Sequence, residues 1–272
     1  MSRVIQLNKL SVYILTYNEE EKIESAIKSV LWADDVVVVD SDSTDSTVAL
    51  AKGLGVRVVN VPFEGFGKLR NAAVNACMHD WIFSLDADER CTDEVASEIL
   101  EIIQGPDSLD AYFIPRRNWF IGRWIHHSGW YPDYRQPQLF RRGAVVYWEE
   151  DEVHEGYDLK GNAGYLKNPI RQIPFKDLEQ FQSKANRYSS LGSHKLARRG
   201  VKGSMTKALS HGLAAFFHTY FLKRGFLDGW AGFVIALGNF EGTFYRYAKL
   251  MEKESGWERP PNEIYSRKGF RG

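Results

Sequence analysis

The chain is short of cysteine, of long apolar runs and of net charge, and each shortage excludes something. Cys77 and Cys91 are the only cysteines in 272 residues. Two thiols cannot build a disulfide framework or a zinc cluster, and they favour a reducing compartment. No secretory signal is expected, because Arg3 and Lys9 flank no sufficient apolar core. The uncharged run from Ala208 to Leu222 has 15 residues, two of them histidine, and the following run from Gly225 is broken by Asp228. Neither reaches the roughly 18 apolar residues of a transmembrane span. A G-x-G-x-x-G dinucleotide fingerprint and a G-x-x-x-x-G-K-[ST] phosphate loop are both missing, so neither an NAD enzyme nor a P-loop ATPase is supported. There is no internal repeat or low-complexity segment.

The zero formal net charge hides an asymmetry. Residues 1–175 hold 18 Lys and Arg against 27 Asp and Glu, and residues 176–272 hold 17 against 8. The basic C-terminal third suits an anionic partner such as a membrane surface or a phosphorylated glycolipid, with a solvated basic face as the plainer alternative. Nothing points to nucleic acid.

What is present is a rhythm of apolar runs ending in polar turns. Leu10 to Leu15 reads as a strand, followed by Thr16, Asn18 and Glu19 at a helix start, with Asn18 or Thr16 near the cap. Val36 to Val39 is a continuous run of the sort buried on both faces of a parallel sheet, and it ends in Asp40. Val56 to Val61 is a third strand. A Gly-rich loop with Lys68 and Arg70 opens a small-residue helix. Trp81 to Leu85 then ends in Asp86-Ala87-Asp88-Glu89, and Thr92 caps the next helix. This tempo argues for βαβ units and a parallel sheet. Residues 116–149 are rich in aromatics that suit sugar faces or ordinary core. Glu149 to Glu155 places five carboxylates in seven residues, with His154 among them. Beyond 175 the pattern is helical, and Lys207, Lys223, Arg224, Arg246 and Lys249 flank stretches compatible with an interfacial helix pair, a helical cap or a dimer face.

In a parallel sheet the C-terminal strand ends share one rim. Asp40 there can accept a hydrogen bond from a base or ribose, and Lys68 and Arg70 can neutralise phosphates. Asp86 and Asp88 can hold a divalent cation that bridges a diphosphate.

Four segments in order, TYNEE, VVVDSDSTDST, GKLRNAAV and SLDADE, resemble family 2 glycosyltransferases of the GT-A fold over roughly residues 8–160. GRWIHHSGWYPD, QLFRR, DEVHEGY and KRGFLDGWAGFVIAL resemble more narrowly the bacterial lipopolysaccharide inner-core β-1,4-glucosyltransferases. One departure is visible: an arginine is expected just before LFRR, and the chain has Gln138, with Arg135 nearby.

The resemblance implies an α/β, Rossmann-like, mostly parallel sheet flanked by helices over residues 1–175. Its nucleotide-binding part would be 8–115 and its acceptor side 116–175, followed by a helical extension over 176–272. Thr16, Asn18 and Glu19 would line the nucleotide pocket, with Asp40 on uracil or ribose and Lys68 and Arg70 near base and phosphates. Asp86 would touch the ribose or the metal, and Asp88 would ligate Mn²⁺ or Mg²⁺. The reaction would be inverting transfer from a UDP-sugar to a lipopolysaccharide-core acceptor at the cytoplasmic face of the inner membrane, with peripheral membrane contact. Its general base is expected at Glu155, with Glu152 and Asp151 behind it. His154 is a candidate third metal ligand, an acceptor-orienting group or a structural residue. The alternatives are the same chemistry on a polyprenyl phosphate, an exopolysaccharide or a peptide, a sugar-nucleotide pyrophosphorylase, and a non-catalytic carbohydrate-binding protein.

Overall fold

The computed structural model describes residues 7–149 and 156–256. The chain divides into two compact units, residues 1–174 and 175–272.

The first unit begins with β1 (Leu10–Thr16), α1 (Ile23–Lys28), β2 (Asp35–Asp40), α2 (Thr47–Gly53) and β3 (Arg57–Asn60). It continues with α3 (Phe66–Ala76), β4 (Trp81–Asp86), β5 (Glu89–Arg90), α4 (Asp93–Gln104), β6 (Ala111–Phe113), β7 (Arg116–Phe120) and β8 (Arg123–Trp124). It closes with β9 (Pro137–Arg141), β10 (Val145–Tyr147), β11 (Tyr157–Leu159), β12 (Ala163–Tyr165) and β13 (Ile170–Gln172). The main sheet has seven strands in the order β12-β6-β9-β4-β1-β2-β3. Within it β9 pairs antiparallel with both neighbours, while the other pairings are parallel. A smaller sheet runs β5-β13-β7-β8, and β10 pairs with β11.

The valine run behaves as its composition demands. Val36 and Val38 pack on one side of the sheet with Ile23 and Ile27 of α1 and Val95 and Ile99 of α4. Val37 and Val39 pack on the other with Leu69 and Ala73 of α3. Both faces are dry because alternate side chains of one strand point to opposite sides. Each such side chain contributes about 1.5–3 kcal/mol on burial. Helix α4 starts where Thr92 Oγ1 accepts from the Val95 N–H at 3.3 Å, as the sequence predicts. Helix α1 differs from expectation. A turn over residues 19–22 intervenes, and Lys22 precedes the helix with no side-chain cap. The Asn18 amide is used elsewhere, in the site.

Under the opposite edge of the sheet lies a polar clamp. The Asp35 carboxylate, at the start of β2, accepts from Ser11 Oγ at 2.7 Å, Arg57 Nη2 at 2.8 Å and the Met78 N–H at 3.0 Å. One buried carboxylate thus ties β1, β2, β3 and the entry to β4.

The second unit holds α5 (Leu178–Arg198), α6 (Met205–Phe217) and α7 (Gly229–Ser255). A π-helical turn, His218–Leu222, and a 3₁₀ turn, Gly225–Asp228, join the last two. Asp177 and Ser204 cap α5 and α6. Lys249 of α7 donates to Asn186 Oδ1 at 2.6 Å and Ser189 Oγ at 2.8 Å of α5. Among the described residues no helix is long and apolar enough to cross a membrane.

The clamp has a pH signature. Burial alone would raise the Asp35 pKa, but the bonds from Ser11, Arg57 and Met78 outweigh it and hold the carboxyl below its ordinary value. A depressed folded pKa adds stability that is complete above the ordinary Asp value of about 4 and is lost as the pH falls through the folded value. Asp35→Asn should therefore lower stability by about 1–3 kcal/mol at pH 7. In urea titrations the gap from wild type should close below about pH 4.

Candidate active site

Strand register builds the rim. Thr16 is aligned with Asp40 and Leu15 with Asp86, so β1, β2 and β4 deliver these residues to one edge. The chain adds strands outward from β1 to β3 and then returns to place β4 on the other side of β1. That reversal makes the crevice in which open α/β sheets bind ligands.

Asp40 is buried, 2% exposed. Its Oδ2 accepts from the Ser43 N–H at 2.9 Å, while Oδ1, like Thr16 Oγ1 at the same edge, has no hydrogen bond among the described residues. A buried acceptor left unpaired is costly, and a ligand N–H or O–H would satisfy it. Asn18 and Glu19 clasp the neighbouring loops. Asn18, at φ 52°, accepts from the Thr44 N–H at 2.8 Å, and its own N–H donates to Ser43 Oγ at 2.8 Å. The Glu19 N–H donates to Thr47 Oγ1 at 2.9 Å, and its carboxylate meets Lys22 at 3.0 Å.

The two basic residues of the Gly-rich segment part company. Lys68 is exposed and pairs with Glu64 at 2.9 Å on the surface of α3. Arg70, two residues and so about half a turn further on, points to the other face and is buried. It donates to Ser84 Oγ at 3.2 Å and Asp86 Oδ1 at 3.3 Å.

Beneath Asp86 and Asp88 lies a network that sequence reading missed. Glu89, fully buried, forms an ion pair with buried Arg116. The other oxygen of Glu89 accepts from the Asp86 N–H at 3.0 Å and from Gln138 Nε2 at 3.0 Å. Gln172 Nε2 donates to both oxygens of Asp88 at 3.2 and 3.1 Å. Glu89 stands in SLDADE and was open to notice; Arg116 and Gln172 come from strands far along the chain and carried no local signal, and Gln138 stood out only as a departure from the family pattern. Gln138 stands where the resemblance predicts an arginine, and supplies a neutral donor to Glu89 and the Ser84 carbonyl.

The electrostatics of the two aspartates diverge. Burial would raise the Asp86 pKa, but Arg70, Arg116 and Arg135 hold it below the ordinary range. Burial, then the charges of Glu89 and Asp86, push Asp88 up to about 7. An ionised Asp88 is therefore expensive until a cation arrives, and a divalent ion would relieve that repulsion. Among the described residues no group of three or more His, Cys, Asp or Glu converges on one point. One or two carboxylates plus substrate phosphates is the way Mg²⁺ is commonly held, so the residues present fit such an ion.

Asp151, Glu152, His154 and Glu155 lie outside the described residues. The described residues on either side of them are tied down. Asn71 of α3 donates to the Tyr147 carbonyl and to Glu149 Oε1, both at 2.9 Å, and the Trp148 N–H donates to the Gly156 carbonyl at 2.9 Å. Gly67 makes the approach of α3 feasible, since a Cβ there would lie 1.8 Å from the Trp148 carbonyl oxygen.

The model of the family described as "Glycosyl transferase family 2" matches residues 11–172, which contain this whole rim. The chain belongs to glycosyl transferase family 2. It is 32% identical over 260 residues to a glycosyltransferase of Rickettsia felis, covering 90% of each chain. It is 28% identical over 262 residues to the lipopolysaccharide core biosynthesis glycosyltransferase LpsC of Rhizobium meliloti, covering 92% of this chain and 95% of that one. Among solved structures, residues 1–349 of S. aureus TarS match with a TM-score of 0.50 at 16% identity over 93% of each chain, a likeness of fold alone.

This glycosyltransferase should be sensitive at Gly67. Gly67→Ala forces the Trp148–Glu149 backbone outward, at a cost of about 1–3 kcal/mol by urea titration. Because that backbone leads directly into the acidic segment, sugar transfer should fall at least about tenfold while UDP affinity holds. Undiminished transfer would show that the anchoring is incidental.

Proposed function

We propose that this family 2 glycosyltransferase moves a hexose, with glucose the first candidate, from a UDP-sugar to a sugar of the lipopolysaccharide inner core. The transfer is metal-dependent and inverting, and takes place at the cytoplasmic face of the inner membrane. The observation that carries the donor half is the convergence of Asp40, with its unpaired buried oxygen, and the Asp86–Asp88 pair on one strand-end rim. Asp40 suits an N–H or O–H of the nucleoside, and the aspartate pair suits the diphosphate end. Similarity to LpsC along 92% of the chain supports the acceptor half.

In this reading Asp88 holds Mn²⁺ or Mg²⁺ with Asp86 beside it, and the ion when bound supplies Lewis-acid neutralisation of the leaving diphosphate. Arg70 and Arg116 keep Asp86 ionised, and Gln172 orients Asp88. Thr16, Asn18 and Glu19 shape the nucleoside end, and Lys68 reaches the phosphate side only by leaving Glu64. A carboxylate, Glu155 first and then Glu152 or Asp151, takes the acceptor hydroxyl proton as that oxygen bonds to the anomeric carbon. The bond from that carbon to the diphosphate oxygen breaks, and UDP leaves from the opposite face. His154 remains a third ligand or an acceptor-orienting group.

Two measurements test this. Asp88→Ala should abolish metal-dependent transfer, and Glu155→Gln should lower turnover by about 10²–10⁴-fold with UDP binding intact. Mass spectrometry of lipopolysaccharide from a deletion strain should show a core short of one hexose. An unchanged core would sink the acceptor assignment.

A further inference from the structure

The tip of the α6–α7 hairpin is built inside out. Around its tip the buried positions carry small residues, Ala208, Gly212, Thr219, Gly225, Ala231 and Gly232, whereas further along α7 Ile235 and Leu250 are buried too. A Cβ at Gly232 would lie 1.8 Å from the Gly225 carbonyl oxygen, so the backbones approach as closely as they do only because no side chain intervenes. At the tip, six large apolar side chains face outward. Phe217, Phe221, Leu222, Phe226, Leu227 and Trp230 are all exposed, Leu222 at 75% and Trp230 at 80%. A hairpin folding in water would bury its largest apolar groups and expose its smallest, since each exposed Leu or Phe forgoes about 1.5–3 kcal/mol. Small residues inside and large ones outside is the arrangement of helices packed in lipid.

Charge then separates a bilayer from another protein face. Between residues 200 and 240 the basic residues are Lys202, Lys207, Lys223 and Arg224, all exposed, and the single acidic residue, Asp228, is buried. Lys223 and Arg224 stand at the tip, amid the exposed aromatics. Apolar wedges beside cations match a surface with an apolar interior and anionic headgroups. An exposed tryptophan next to them suits the headgroup level. No described helix is long and apolar enough to cross a membrane, so a bilayer contact at this tip would be interfacial.

We infer that the tip of the α6–α7 hairpin, residues 217–230, is an interfacial insertion surface that takes an anionic lipid bilayer. The inference deepens the membrane side of the proposed function and rests on that reading only in its premise that the acceptor is membrane-borne.

The test is co-sedimentation of the full chain with vesicles that contain no glycolipid. Wild type should pellet with phosphatidylglycerol–phosphatidylcholine vesicles, less with phosphatidylcholine alone, and less as salt rises. Leu222→Ser with Trp230→Ser should weaken the partition at least about tenfold, and Lys223→Glu with Arg224→Glu should do so for anionic vesicles specifically. Unchanged helicity and UDP affinity in both variants would show that the fold is retained. Wild type left in the supernatant, or variants that pellet like wild type, would overturn the surface. So would a wild-type dimer that the serine variant converts to monomer, since a second copy would then be the occupant. Because the vesicles lack acceptor, failure here leaves the transferase reading to be judged on the lipopolysaccharide core.

Discussion

The buried ion pair between Glu89 and Arg116 is the interaction on which the site depends. It joins β5 to β7 within the smaller sheet, and Glu89 reaches with its second oxygen to Gln138 on β9 of the larger one and to the Asp86 N–H. Three parts of the first unit are therefore held at a single carboxylate directly beneath the Asp-Ala-Asp turn. Desolvating two charges is expensive, and such a pair need not stabilise the fold relative to apolar residues. Breaking it is another matter, because a lone buried charge costs about 3–5 kcal/mol. What the pair fixes is position: the backbone that carries Asp86 and Asp88 cannot move without unpairing Glu89.

The same network sets the charge of the rim. Arg70, Arg116 and Arg135 act on Asp86, while Asp88 has the charges of Glu89 and Asp86 beside it. The guanidiniums favour ionised Asp86, whereas burial first, and then the charges of Glu89 and Asp86, lift the Asp88 pKa to about 7. A carboxylate in that condition gains most when a divalent cation comes within reach. Gln172, which donates to both Asp88 oxygens, holds the side chain without cancelling its charge. Structure and charge thus make one demand, for a cation at the edge where Asp40 also emerges.

Much of this was legible in the sequence because apolar runs that stop at aspartate locate strand ends. Asp40, Asp86 and Asp88 needed only the inference of a parallel sheet, and register then brought Thr16, Asp40 and Asp86 to one rim. Arg70 and Lys68 looked alike as letters two apart, but helical geometry buries one and exposes the other. The support network was illegible because Arg116, Gln138 and Gln172 meet Glu89 and Asp88 only through sheet pairings formed across tens of residues. The C-terminal helices were legible as helices, yet their inverted burial was not. Periodicity shows that one face differs from another; which of them is covered depends on how close two backbones can come. The candidate base, among Asp151, Glu152 and Glu155, rests on sequence alone.

The central claim is that one rim binds both nucleoside and metal–diphosphate. A crystal structure with UDP and Mn²⁺ tests it most directly. The account predicts the ion at about 2.0–2.2 Å from an Asp88 oxygen and from the diphosphate, with the unpaired oxygen of Asp40 accepting from the uridine. UDP bound away from the ends of β1, β2 and β4, or an ion that leaves Asp88 uncoordinated, would contradict it.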